Sequence, residues 1–229
     1  MRLRLAAFLT FLPASRSLLS YIERVHRLGR LKPLQMGGGV LQPCPSSSRL
    51  RDIQNHESLA AKLPSDAKLP KLVVFDLDNT LWTPELYTLR HLSNYANAGP
   101  PGPQAEHDVW LLDGAVSILY ELATCARWRA AGTRVAVASR TNKGNWARSL
   151  LQNFQITPEG GTLIELIRFQ EIYTGDKDRH FEALHEKSGV PFEDMLFFDD
   201  AAGGRFGNCE LVASKLGVRS ILLIRFHRT

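Results

Sequence analysis

Cysteine is scarce in this chain, and what there is does not pair. Cys44, Cys125 and Cys209 are odd in number, far apart and contain no C-x-x-C, so neither a disulfide framework nor a thiolate zinc site is expected. Reduced thiols in a reducing compartment fit this usage. No apolar run approaches the roughly 18 residues of a membrane-spanning helix, and no membrane partner is expected. A basic face is missing too, despite a net charge of +5 over 229 residues. Residues 1–35 hold six arginines and one lysine against Glu23, a local +6, which leaves −1 for the remainder. That remainder has no basic excess to attract nucleic acid. Hydrophobic residues make up 44%, enough for an ordinary core in one or two domains.

The positive charge belongs to Met1–Leu34, which is rich in Arg, Leu, Ser and Ala. Arg16, Arg24, Arg27 and Arg30 alternate with Leu18, Leu19, Ile22 and Val25, the basic amphipathic composition of an organellar transit peptide. Mitochondrion or plastid is therefore expected, and cytoplasm if the leader is not used. A secretory signal is the rival, carried by Leu5–Leu12 behind Arg2 and Arg4. Gln35–Lys68, with Gly37–Gly39, Pro43, Pro45 and Ser46–Ser48, reads as a linker. Within it Ile53–Lys62 has the pattern of a short helix. The folded domain is expected over residues 69–229.

The domain is organised around Lys71–Trp82, K-L-V-V-F-D-L-D-N-T-L-W. Leu72–Phe75 is too short for a helix and rich in valine, so it reads as a buried strand. It runs into Asp76 and Asp78, with Thr80 two residues on. Close carboxylates repel unless a cation or a proton intervenes, so a divalent metal or a shared proton is implied. The plain alternative is an Asx-type turn at a strand end.

Thr83–Leu112 reads as about thirty residues of loop, a length usually functional in a compact domain. Trp82, Tyr87, His91, His107 and Trp110 lie in or beside it, where together they could wall an entrance. Gly114–Ala131 follows as one helix, with Asp113 as N-cap and Gly132 as the stop. Arg134–Ala138 is a second buried strand and runs into Ser139-Arg140-Thr141. After a helix over Gly144–Phe154 comes a third apolar run near Ile164–Ile172. Gly175-Asp176-Lys177 opens a helix with Phe181 and Leu184 facing inward. Met195–Phe198 is a strand ending in Asp199-Asp200, Asn208–Leu216 is helical, and Arg219–Ile224 is a last strand. Strands separated by helices imply an α/β fold with a parallel sheet covered on both faces. Chemistry in such sheets sits beyond the carboxyl ends of the strands, where Asp76, Asp78, Ser139 and Asp199 fall.

D-L-D-N-T-L, A-S-R-T, the lysine of G-D-K-D-R-H-F and F-F-D-D resemble the four ordered motifs of the haloacid-dehalogenase (HAD) superfamily. Within it, D-L-D-x-T-L-W, S-R-T and V-P-F-E-D-M-L-F-F-D-D are similar to the magnesium-dependent phosphatase family. The resemblance covers about Leu69–Ile224. It implies a Rossmann-like three-layer fold with a minimal cap and a phosphomonoesterase using Mg²⁺. It assigns the metal to the Asp76 carboxylate, the Asp78 backbone carbonyl and Asp199, with Asp200 in support. Ser139 would bond a phosphoryl oxygen, and Arg140 would hold the phosphate or the substrate's polar body, unless it is only a surface ion pair. Lys177 would offset the negative charge of nucleophile and phosphate.

The residue chemistry agrees. Asp76 can attack phosphorus as an ionised nucleophile. Asp78, two residues on, can protonate the leaving oxygen and later deprotonate water. A hard cation suits this oxygen-rich set. Carbon–halogen cleavage needs no acid at position 78, so phosphate-ester hydrolysis is expected. The minimal cap implies an open site, which the resemblance links to phosphotyrosine in proteins or to sugar phosphates attached to amines. Three departures stand out: Asn79 with Pro84 one residue later than T-L-W-P, Ala201–Gly204 after the acid pair, and Leu112-Asp113-Gly114 in place of Tyr-Pro wording. The second gives some support to a non-catalytic phosphate-binding domain. A receiver-type signalling domain would need the acid pair first and a lone acceptor later, the reverse of this order. A monomer is the default.

Overall fold

The computed structural model describes residues 50, 58, 60–94, 102–201 and 207–223. The leader, most of the expected linker, and Ala202–Gly204 lie outside the described residues. β1 (Leu72–Phe75) is buried at every position. A strand buried on both faces belongs in the middle of a sheet, and β1 is the third of five parallel strands. Its neighbours are β4 (Arg134–Ser139) and β6 (Met195–Asp199), with β5 (Ile167–Ile172) and β7 (Arg219–Leu222) outermost, in the order β5-β4-β1-β6-β7.

The pleat divides these strands between two cores, since successive side chains point to opposite faces. Val73, Phe75, Val135, Val137, Leu196 and Phe198 face one cluster. It is closed by α1 (Asp113–Thr124), α2 (Ala126–Ala130), α3 (Gly144–Asn153) and the short α4 (Leu163–Leu166) through Leu119, Trp128, Leu150 and Leu163. Leu72, Val74, Ala136, Ala138, Met195 and Phe197 face the other, closed by α5 (Lys177–Ser188) and α6 (Asn208–Leu216) through Phe181, Leu184 and Val212. Removing one such buried leucine to alanine costs about 2–5 kcal/mol. The three-layer α/β arrangement is the expected one. Among the described residues no helix is long and apolar enough to cross a membrane.

Several local expectations change. The helix expected over Gly114–Ala131 breaks at Cys125, which is extended (φ −73°, ψ 123°). Leu112, not Asp113, is its N-cap; Asp113 stands in the first turn, where its charge favours the positive end of the helix dipole. Gly132 does provide the stop, at φ 70°. The third apolar run is divided: Leu163–Leu166 forms a helical turn whose capping box joins Thr162 and Glu165, and the strand starts at Ile167. β7 ends at Leu222.

Part of the expected thirty-residue loop is regular structure. β2 (Trp82–Thr83) pairs antiparallel with β3 (Trp110–Leu111), and Leu86–Asn94 is a 3₁₀ segment. The linker reading also shortens, because Leu50, Ala60 and Leu63 are buried in the larger core. Of the expected helix Ile53–Lys62, the described residues are Ser58, outside any helix, and a 3₁₀ turn at Ala60–Lys62. Glu121 holds this strap: its Oε1 accepts from Ser58 Oγ at 2.6 Å, the Ala60 N–H at 2.9 Å and Trp128 Nε1 at 3.2 Å. Arg127 donates to the carbonyls of Ala60, Leu63 and Pro64. Side-chain bonds, not a repeating backbone pattern, dock the strap, so periodicity does not reveal it.

Candidate active site

The sheet brings three polar residues to one edge. Asp76 follows the last residue of β1, Ser139 ends β4 and Asp199 ends β6. The Asp76 N–H donates to the Phe198 carbonyl at 2.9 Å, which fixes the two acid-bearing strand ends side by side. Lys177 is the first residue of α5 and reaches under them. All six residues expected from sequence, Asp76, Asp78, Ser139, Arg140, Lys177 and Asp199, line a single cavity of about 390 Å³.

Lys177 has no exposed surface. Its Nζ lies 2.6 Å from Asp76 Oδ1 and 3.0 Å from Asp199 Oδ2, and donates also to the Ala138 carbonyl. Burial works against the ammonium, but Asp76 and Asp199 outweigh it and hold its pKa above the ordinary lysine value. The same contact does not bring Asp76 down to the usual carboxylate range. Burial pushes Asp76 up to about 7, and Asp199 and Asp78 add to the push, against the pull of Lys177. One ammonium cannot balance this many acids.

Asp76, Asp199 and Asp200 bring carboxylate oxygens within 4.8 Å of one another. Hard oxygen donors crowded around uncompensated negative charge are what Mg²⁺ requires, so the residues fit that ion. The two adjacent acids are not equivalent. Asp199 is fully buried, and Asn208 Nδ2 donates to its two oxygens at 3.1 and 3.0 Å. The Ala201 N–H donates to Oδ1 at 2.8 Å, while Lys177 occupies Oδ2. Asp200 is half-buried and lines the cavity.

Asp78 is held from the other side. Trp82 Nε1 donates to its Oδ1 at 2.8 Å, and the Leu86 N–H donates to the same carboxylate. Burial nevertheless raises its pKa to about 6, since those bonds offset only part of the desolvation. A carboxyl that retains a proton near neutrality can serve as a general acid.

Of the aromatic and histidine group expected to wall the entrance, Tyr87 lines the cavity. Trp82 is fully buried beneath it, stacked on Phe154 at 5.9 Å between ring centroids; a short strand, not an open loop, carries it. His91, His107 and Trp110 are not among the lining residues. Residues missed in the sequence are Glu85, Asn142, Thr174 and Asn208. Asn208 links two predicted members, because its Oδ1 accepts from Arg140 Nη1 at 3.3 Å while its amide holds Asp199. Its one sequence signal was its place at the start of a helix after the acid pair.

Residues 68–225 match the family described as Acid Phosphatase. The chain is 36% identical over 137 residues to magnesium-dependent phosphatase 1 of Homo sapiens, a stretch that covers 58% of this chain and 69% of that protein. It is 31% identical over 144 residues to a HAD-like hydrolase superfamily protein of Schizosaccharomyces pombe, 60% of this chain and 80% of that one. Among solved structures, the N-terminal part of a Bacteroides fragilis protein containing a phosphatase domain, complexed with Mg, overlays with a TM-score of 0.44 and 19% identity. That overlay covers 68% of this chain and 36% of the other. A HAD family enzyme of Bacteroides thetaiotaomicron in complex with magnesium and inorganic phosphate overlays with a TM-score of 0.41 and 14% identity, over 67% and 93%. The family match covers the stretch that carries the four motifs, and with the two relatives above it shows that this chain belongs to the acid phosphatase family, within the magnesium-dependent phosphatases of the HAD superfamily.

Proposed function

We propose that the protein is a Mg²⁺-dependent phosphomonoester hydrolase that works through an aspartyl-phosphate on Asp76. The observation that carries this is the cluster of Asp76, Asp199 and Asp200, two of them paired with one buried ammonium, with Asp78 in the same cavity and its pKa raised by burial. An Asp76 carboxylate oxygen attacks phosphorus, and the bond from phosphorus to the ester oxygen breaks. The Asp78 proton passes to that oxygen, and the alcohol leaves. Asp78, now ionised, takes a proton from water as the water oxygen attacks the same phosphorus; the bond from phosphorus to the Asp76 oxygen breaks, phosphate leaves, and Asp76 is again a carboxylate and Asp78 a carboxylic acid. Ser139, at the rim of the strand end, bonds a phosphoryl oxygen. Lys177 keeps Asp76 oriented and offsets charge as it builds on the phosphoryl group.

The Asp76 carboxylate, the Asp78 carbonyl and Asp200 would hold Mg²⁺. The bonds from Lys177, Asn208 and the Ala201 N–H to Asp199 favour Asp200 as the further carboxylate ligand, with Asp199 as the anchor of the lysine. Bound Mg²⁺ supplies positive charge that lets Asp76 ionise and neutralises phosphoryl oxygens. An open cavity suits phosphotyrosine or sugar phosphates, and Arg140, on the cavity wall, would hold the phosphate or the substrate's polar body. We also propose organellar targeting by residues 1–34, which fusion of that segment to a fluorescent protein would test.

The deciding assay is p-nitrophenyl phosphate hydrolysis by the full chain with Mg²⁺ or EDTA, beside Asp76→Asn. Turnover that requires Mg²⁺ and disappears in the variant is expected. A folded, Mg²⁺-binding protein without turnover would point instead to a phosphate-binding module.

A further inference from the structure

The first of the sequence departures is tied together in space. Asn79, at φ 58°, occupies the left-handed region that asparagine tolerates better than most residues. From there its Nδ2 donates to Glu85 Oε1, so the amide fixes the carboxylate that follows the displaced Pro84. The Leu86 N–H donates to the Asp78 carboxylate, which places the neighbours Glu85 and Tyr87 on either side of a residue tied to Asp78. Both line the cavity, Glu85 half-buried and Tyr87 53% exposed.

Asp78 donates its proton to the leaving oxygen, so the leaving group must lie on the Asp78 side. We infer that Glu85 is a charge gate on the leaving-group side of the cavity, which selects phosphomonoesters whose alcohol carries no second anionic group. Among the lining residues other than the four aspartates and Lys177, Glu85 is the acidic one and Arg140 the basic one. A fixed carboxylate where the alcohol departs repels a carboxylate or second phosphate there. Tyr87 offers a ring face to an uncharged or aromatic alcohol beside it. This inference rests on the phosphatase reading, because the leaving-group side is defined by the proton Asp78 gives.

The test compares phenyl phosphate with 3-carboxyphenyl phosphate, two esters of similar leaving-group acidity. Phosphate release by the full-length protein with Mg²⁺ gives kcat/KM for each. A like charge within a pocket of intermediate dielectric is worth about tenfold, so the wild-type protein is expected to favour phenyl phosphate by about that factor. Glu85→Gln should bring the ratio close to one, and Glu85→Lys should invert it. The readout is a ratio, so a general loss of activity in either variant leaves it unmoved. A wild-type preference for the carboxylated ester, or the same ratio in Glu85→Gln as in wild type, overturns the gate alone. No hydrolysis of either ester or of p-nitrophenyl phosphate by wild type overturns the phosphatase reading, and the gate with it.

Discussion

Replacing Lys177 by methionine tests the electrostatic logic of the site most directly. The substitution keeps the unbranched stem over the Phe197 ring, which the ammonium approaches to 5.1 Å, and removes the charge. Asp76 and Asp199 would then face each other without the cation now 2.6 and 3.0 Å away. Removing one partner of a buried ion pair costs about 3–5 kcal/mol. In a domain of this size each kcal/mol moves the melting temperature by about 2–4 °C, so a fall of roughly 6–20 °C is expected at pH 7.5 in EDTA. The pH dependence carries the sharper prediction. Asp76 is already raised to about 7 with Lys177 pulling it down, so in the variant it rises further. A carboxyl raised in the folded state adds stability at low pH that is lost as pH climbs through the folded value. The deficit of the variant should therefore shrink as pH falls from about 8 toward 5, where Asp76 is protonated and no longer needs the ammonium. Thermal denaturation of both proteins across that range is the assay. A melting temperature within about 2 °C of wild type at pH 7.5, or a deficit that does not change with pH, would refute the account.

Two further substitutions probe the acid and its support. Trp82→Phe keeps the ring on Phe154 but removes the 2.8 Å bond to Asp78. That bond lowers the Asp78 pKa from where burial alone would put it, so its loss raises the value above about 6. On the proposed mechanism Asp78 acts in its protonated form, so the decline of kcat/KM with rising pH should move to higher pH; an unmoved limb would count against Asp78 as the acid. Asn208→Ala removes the amide that holds both Asp199 oxygens and accepts from Arg140. A kcat loss of about tenfold or more is expected, from the energy of a hydrogen bond to a charged group. Asn208→Asp should be worse, since it sets a like charge against Asp199; steady-state kinetics in which it outperforms alanine would sink this role.

Most of the site could be read in the chain because its residues break the pattern around them. Apolar runs that end in D-L-D and F-F-D-D mark strand ends where carboxylates have no place in a core, and A-S-R-T ends another. Each of those signals is local, spanning a few residues. Asn208, Glu85 and the strap at Ala60–Leu63 gave no comparable signal. Asn208 is an ordinary helix-start residue until Asp199 and Arg140 converge on it, and the latter is 68 positions away. Glu85 follows a proline in what reads as loop, and only its bond from Asn79 and its place on the cavity wall distinguish it. The helix over Gly114–Ala131 reads as continuous because apolar spacing persists through Cys125, although the backbone there is extended.

What the sequence determined by itself was the order of strands and helices along the chain and the residue types at the strand ends. Hydrophobic periodicity is a property of neighbouring residues, and burial acts on it directly. Only the tertiary structure decided how those residues share their work. Lys177 and Asp76 are 101 positions apart, and nothing local brings them to 2.6 Å. The paired acids show the same division on a smaller scale. As letters, Asp199 and Asp200 are interchangeable. Asp199 ends β6 and is fully buried against Lys177 and Asn208, while Asp200, one residue past the strand, is half-buried on the cavity wall. Long-range packing turned two identical carboxylates into an anchor and a candidate ligand.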